Sequence, residues 1–168
     1  MNCCSAVHNF SMELDATDIR LLELLQSDAS LSNQDLAQRA HTSPATALRR
    51  VRRLVDEGVI ERRVALLNPE RVAAGLTALA EVSLDRQGAE HLDAFESRAV
   101  AEVAVQQCYR VSPGPDFMLV LFVADMLSYH ALVQRLFTQD ANVRNVKAFF
   151  SVKRAKFDPR IVMTPRAV

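Results

Sequence analysis

Residues 32–68 constrain this chain more than any other stretch. Ser32 with Asp35 resembles a capping box that opens a helix over residues 33–40. His41-Thr42 makes a tight turn. Ser43 then caps a second helix, with Pro44 at its first position, where a missing N–H costs nothing. Gly58 sits where a helix ends on a left-handed residue. Residues 59–67 alternate partly and carry Arg62 and Arg63, as a wing or exit strand would. The order is helix, tight turn, helix, wing.

The second of these helices is strongly cationic. From residue 36 to 55 there are five arginines (39, 49, 50, 52 and 53) and neither Asp nor Glu. Burying Leu48, Val51, Leu54 and Val55 would turn Thr46, Arg49, Arg50 and Arg53 outward, with Ala45 and Arg52 flanking. Arginine can grip guanine bidentately or clamp phosphate, and Thr46 can meet a thymine methyl. Ser43 and the free N–H groups at the helix start suit a phosphate. A cationic face on its own is often only a solvated surface. Preceded by a capped helix and turn, and followed by glycine and a cationic strand, it points to double-stranded DNA. The zero formal net charge, 20 Lys+Arg against 20 Asp+Glu, does not weigh against this. Attraction to phosphate depends on the local stripe.

Apolar residues make up 49 % of the 168-residue chain, enough for one or two cored domains. The apolar runs are far shorter than a membrane span, and residues 1–11 lack the cationic start and apolar core of a signal peptide. A cytoplasmic protein without a membrane partner is expected. Residues 1–11 read as a disordered extension, Met12 being a natural start. Cys3, Cys4 and Cys108 have no framework or metal-ligand spacing.

Asp15, with Asp18 three residues on, caps a first helix through about Ser27 that carries Ile19, Leu21, Leu22, Leu24 and Leu25. The first domain thus spans 12–68. A second domain, 69–158, has strand patterns at 76–85, 103–111, 116–124 and 143–156, and helical patterns at 88–101 and 127–139. That is the βαββαβ order of a ferredoxin-like plait, making the class α+β. Two helices on one sheet face leave the other bare, so Ala78, Ala80, Val82 and their partners are expected to lie against a second copy. The basic end, with Lys147, Lys153, Arg154, Lys156, Arg160 and Arg166, reads as a solvated edge strand followed by a tail over 159–168.

The phrases Leu14-Asp15-Ala16-Thr17-Asp18, Leu31-Ser32-Asn33-Gln34-Asp35-Leu36-Ala37, Ser43-Pro44 with Arg50-Val51 and Leu54, and Gly58-Val59-Ile60 together resemble the Lrp/AsnC (feast/famine) family of transcriptional regulators. The similarity runs from Met12 to about Lys156. It implies a winged helix-turn-helix followed by a ferredoxin-like sensing domain. It also implies homodimers that assemble further, often to octamers, and a small effector, usually an amino acid, bound between dimers. The family's sensing loop reads Val-Thr-Gly-x-x-Asp-Tyr. Here the matching stretch is Val111-Ser112-Pro113-Gly114-Pro115-Asp116-Phe117. Asp116 and the aromatic match, whereas Pro113 fills the glycine slot and removes an N–H. Asp125 matches a recurring family aspartate, and Ala148 stands where the family often has Thr. The resemblance therefore implies effector contacts at Ser112, Pro113, Gly114, Asp116, Phe117, Asp125 and Ala148. Read as residues alone, Pro-Gly-Pro between two strands is sufficiently explained as a turn.

No enzyme signature accompanies these features. His8, His41, His91 and His130 are scattered, four glycines leave no phosphate-cradling loop, and no cofactor or metal is implied. The alternatives are an architectural DNA-binding protein without a ligand and a sirohaem-decarboxylase-like enzyme of the same layout. Where the latter show Phe-Pro-Leu, this chain has Ala29-Ser30-Leu31-Ser32.

Overall fold

The computed structural model describes residues 13–72 and 74–163. The expected extension over 1–11 and the last residues of the tail lie outside them. Contacts divide the chain into two compact units. One runs to Leu66 and includes the residues from Asp158 on; the other is Leu67–Phe157.

The first unit has three helices: α1 (Ala16–Ser27), α2 (Asn33–Arg39) and α3 (Pro44–Asp56). The caps lie where the side chains predict them. Asp15 accepts the N–H groups of Thr17 and Asp18, and Asp18 accepts that of Asp15 in return. The Ser32 hydroxyl accepts the Asp35 N–H, and the Ser43 hydroxyl accepts that of Thr46. Asn33 donates its side-chain amide to the Pro44 carbonyl at 2.9 Å, which ties α2 to the first turn of α3. His41, in the turn, has φ 54°, and Gly58 ends α3 at φ 72°. Leu21, Leu36, Ala37, Ala40, Ala47 and Val51 form the core, with Leu24, Leu25, Leu31 and Ile60 against it.

Two expectations for this unit are corrected. The buried stripe of α3 is Ala47, Val51 and Leu54, while Leu48 and Val55 are exposed. The apolar stripe is broader than the core it serves, so a small alanine takes the central position and the two larger residues fall on its flank. The expected strand over 59–67 does not form either. Residues 61–68 are exposed and have no ladder partner among the described residues, which leaves Val64, Leu66 and Leu67 uncovered.

The second unit opens on a single turn, α4 (Pro69–Val72), which the sequence patterns did not indicate. It continues as β1 (Leu76–Leu84), α5 (Ala89–Ala101), β2 (Val105–Arg110), β3 (Phe117–Val123), α6 (Met126–Val133) and β4 (Val143–Phe150). α6 runs on as a π-helical segment, Gln134–Thr138. The sheet is antiparallel, in the order β2-β3-β1-β4. The plait is therefore as the order of elements predicts. β4 stops short of residue 156 because its partner runs out. The Ser151 N–H makes a last bond to the Thr77 carbonyl, and β1 begins at Leu76.

The expected bare face is corrected by the parity of the strands. Ala78, Ala80 and Val82, with Phe117, Leu119 and Leu121, are buried in the same core as Phe95, Ala99, Leu132 and Leu136 from the helices. The uncovered face carries the alternate residues. Leu79, Tyr109 and Phe149 are exposed there, with the half-buried Met118 and Val120 between them. A one-residue change of parity exchanges every side chain between the two faces.

The described part of the expected tail is tied down at Ile161. Gln26 on α1 donates to the Ile161 carbonyl at 3.1 Å and accepts the Ile161 N–H at 2.6 Å. Arg160, expected to add to a basic tail, is paired with Asp158 at 2.8 Å.

Candidate nucleic-acid interface and sensing loop

On α3, Ala45, Arg49, Arg52 and Asp56 lie opposite the buried stripe and are exposed. With Leu48, Arg53 and Glu57 they line an open groove of about 660 Å³. Neither Arg49 nor Arg52 has an acidic partner among the described residues, so both guanidiniums are free for a ligand. Ser43 and Thr46 stand at the helix start, their hydroxyls 2.9 Å apart. Arg62 and Arg63 line a second groove between α3 and the exit segment, with Leu48, Val55 and Ile60 on its apolar side.

Arg50 and Arg53 are placed differently from the expectation of an outward face. Arg50 Nη1 donates to Asp15 at 2.6 Å and to Asp18 at 3.0 Å. Arg53 Nη2 donates to the other oxygen of Asp18 at 2.7 Å. Asp18 is the one buried charged residue among those described, at 1 % exposure, whereas the side chains of Arg50 and Arg53 keep 23 % and 41 %. Both arginines therefore face α1 and act as a clamp between the first and third helices. The Nε atoms of both are buried without a partner. Two close oxygens of one carboxylate cannot satisfy two whole guanidinium forks. The Asp18 N–H, the Arg50 cation and the Thr17 N–H together hold the Asp15 carboxyl below the ordinary aspartate range, the Asp18 backbone bond being the largest cause.

The clamp was missed because arginine on a helix-turn-helix was read only as a ligand for phosphate or base. A signal for it does exist. Asp18 precedes Leu21, Leu22 and Leu25 by three, four and seven residues, so it shares the buried face of α1 and needs a cation.

In the second unit, Ser112, Pro113 and Gly114 form an exposed turn, with a cis Ser112–Pro113 bond and φ 125° at Gly114. The Asp116 N–H donates to the Val82 carbonyl at 2.9 Å, and its carboxylate accepts the Leu84 N–H at 2.7 Å. Asp116 thus ties the turn to β1. Phe117, expected to face the effector, is instead a core residue. Its ring is 4.8 Å from that of Phe95. Asp125 caps α6, accepting the Ser128 N–H at 2.7 Å, which holds its carboxyl below the usual range. Asp116 and Asp125 lie beyond opposite ends of β3, whose seven residues alone span roughly 20 Å. Ala148 pairs with Ala80 in the middle of β4, on the helix-covered face. A single chain does not gather these residues into one pocket.

Among the described residues, no three His, Cys, Asp or Glu side chains converge as a metal site would require, and no helix is long and apolar enough to cross a membrane.

Comparison with known proteins places both units. Residues 14–61 match the pattern of winged helix-turn-helix DNA-binding domains, and residues 77–161 match that of the Lrp/AsnC ligand-binding domain. An uncharacterised HTH-type transcriptional regulator of Haemophilus influenzae is 35 % identical over 94 % of this chain and 94 % of its own length. The leucine-responsive regulatory protein of Escherichia coli is 31 % identical, with 92 % and 94 % covered. Among solved structures, a transcriptional regulator of Neisseria meningitidis in complex with L-Met superposes with a TM-score of 0.80 at 30 % identity, covering 89 % of this chain and 96 % of that one. The relatives are named as regulators rather than enzymes. The chain belongs to the Lrp/AsnC family of transcriptional regulators, with a winged helix-turn-helix and a ligand-binding domain of that type.

Proposed function

We propose that this protein binds a specific sequence of double-stranded DNA through α3, in the cytoplasm, as a homodimer that assembles further. The observation that carries this reading is the division of labour among the α3 arginines. Arg50 and Arg53 are held by α1, while Arg49 and Arg52 are left unpaired on the outward face beside Ala45 and Thr46. Arg49, Arg52, Ala45 and Thr46 would enter the major groove, with Arg53 at the edge of the contact. Ser43 and the first N–H groups of α3 would take a phosphate, and Arg62 or Arg63 would reach the flanking backbone. Arg50 would contribute by fixing the helix. Two such helices in a dimer would read half-sites about one helical turn, or a multiple, apart.

Dimers would form through the uncovered sheet face, whose Leu79, Val120 and Phe149 need burial. The effector, an amino acid, would bind where the turn at 112–116 of one dimer meets another, and higher assembly up to an octamer would complete the site. Two observations support a composite site: the relative solved with L-Met, and the placing of Asp116 and Asp125 at opposite ends of β3 within one chain. The second reading, an architectural DNA binder without a ligand, is favoured by Pro113, which fills the glycine slot of the turn and removes an N–H there.

The test has two parts. Duplexes selected from a random pool should converge on a palindromic motif, and failure to converge would remove sequence specificity. A thermal-shift screen against the twenty amino acids should raise the midpoint for a small subset in proportion to concentration. Asp116→Ala should lose that response, and silence across the set would favour the architectural reading.

A further inference from the structure

Two long stretches of this chain carry five cations and no acid. One is residues 36–55, around α3. The other is residues 141–157, with Arg144, Lys147, Lys153, Arg154 and Lys156. The second unit is neutral as a whole, but its charge is segregated. Residues 67–140 hold ten acids and five arginines, and residues 141–157 hold the five remaining cations alone. Arg98, Arg110 and Arg135 in the first part each pair with an acid. Lys153, Arg154 and Lys156 are exposed and have no ion pair among the described residues.

Protection of a sheet edge does not account for these three. It suits Arg144 and Lys147, which lie on the outermost strand, with Lys147 opposite Glu81. The Ser151 N–H makes the last bond to β1, so Lys153, Arg154 and Lys156 lie beyond the sheet and have no strand to protect. The Arg154 guanidinium sits 5.1 Å from the centre of the Phe157 ring. Stacking occupies one face of the guanidinium and leaves its in-plane N–H donors open to an anion. From Lys153 to Lys156 the chain spans at most about 10 Å, a length over which duplex DNA presents about six phosphates.

The run leads directly into the first unit. The chain from Asp158 on belongs to that unit, where Gln26 of α1 holds both backbone groups of Ile161. Lys156 stands five residues before Ile161, which limits their separation to about 17 Å. The chain itself thus keeps these cations close to α1. With its excess of acids, the rest of the second unit repels a duplex, and this run is the part of it that attracts one.

We propose that Lys153, Arg154 and Lys156 form a second, sequence-independent DNA contact that grips backbone phosphates of the duplex flanking the segment read by α3. The proposal rests on the reading of α3 as a DNA-binding helix, and it adds length of bound duplex rather than sequence.

Anisotropy titrations of the full chain test it on two duplexes carrying the motif selected from the random pool, one ending at the motif and one extended by about two helical turns on each side. In a variant combining Lys153→Gln, Arg154→Gln and Lys156→Gln, affinity for the long duplex should fall about tenfold or more at low salt, and the salt slope should drop by about two to three for each protomer bound. Affinity for the short duplex should stay as in the wild type. Lys153→Arg with Lys156→Arg keeps the charges and should bind both duplexes as the wild type does. Circular dichroism should show the same fold throughout. The proposal is overturned if the neutral variant binds the long duplex with the wild-type slope, if it loses affinity equally for both duplexes, or if the arginine variant loses as much. It is equally overturned if the neutral variant keeps its DNA binding and loses adsorption to phosphatidylserine vesicles, which would assign the run to a membrane surface. Failure to select any motif would remove the sequence specificity of α3 and leave this contact open to the same measurement. On a long duplex of arbitrary sequence the neutral variant should still lose slope, and an unchanged slope there would overturn the proposal as well.

Discussion

Asp18 and Arg53 meet at 2.7 Å between the first and third helices, with the carboxylate buried and the guanidinium half-exposed at the edge of the outward face of α3. Arg50 shares the same carboxylate at 3.0 Å. One buried anion therefore sets the angle at which α3 is presented. Removing it would leave Arg53 without its partner and Arg50 with Asp15 alone. Asp18→Ala should destabilise the first unit by about 3–5 kcal/mol, the usual cost of breaking a buried pair. Urea denaturation followed through the helical signal checks this. A loss below about 1 kcal/mol would mean that the clamp does not hold α1 to α3.

Asp15 should give the acid limb of stability a recognisable component. Its folded carboxyl is held below the unfolded value, so its contribution is present above about pH 4 and fades as pH falls through the folded value. Asn also caps helices but cannot lose a charge. Asp15→Asn should cost up to about 1 kcal/mol at pH 7, because the pair is exposed to solvent. Its stability should also fall less between pH 5 and pH 3 than that of the wild type. Parallel curves for the two proteins would remove Asp15 from the acid response.

Gly58 isolates a backbone effect. A Cβ there would meet nothing within 4 Å, yet φ is 72°. Gly58→Ala should therefore cost about 1–2 kcal/mol from conformation alone. Gly58→Asn should recover part of the loss, since Asn tolerates that region. Thermal melts of the three proteins decide it, and an unchanged midpoint for the alanine variant would contradict the left-handed end of α3.

The uncovered sheet face makes a prediction about assembly. Leu79 and Val120 are cross-strand partners in the middle of that face. Leu79→Glu should turn the proposed dimer into a monomer at micromolar concentration in sedimentation velocity, with the circular dichroism spectrum retained. A dimer of unchanged strength would move the interface elsewhere.

Much of the fold is legible in the sequence because its cues are local. Asp15, Ser32 and Ser43 start helices, Pro44 and Gly58 bracket α3, and alternation or, at β3, a short apolar run marks the strands. Orientation is less legible because it depends on distant partners. The buried stripe of α3 is offset by one position from the one the apolar pattern predicts, since Leu48 and Val55 are as apolar as the residues actually buried and only the size of the core distinguishes them. The covered face of the sheet is less legible for the same reason: alternation in β1 separates Ala78, Ala80 and Val82 from Thr77, Leu79 and Glu81, but which set lies under the helices is decided by α5 and α6. Phe117 shows the limit of motif transfer, because the turn's aromatic position and the first core position of β3 coincide. The strand expected over 59–67 needs a partner that this unit does not supply.

The most direct test of the account is to compare Arg49→Ala with Arg50→Ala on one selected duplex, measuring affinity by fluorescence anisotropy across salt concentrations and stability by urea denaturation. Arg49→Ala should lose about 1–3 kcal/mol of affinity if it reads a base, or reduce the salt slope by about one if it holds a phosphate, with stability unchanged. Arg50→Ala should lose stability first, with affinity falling only as far as the helix is misplaced. The contradictory result is an Arg49→Ala variant that binds like the wild type beside an Arg50→Ala variant that is fully stable and no longer binds.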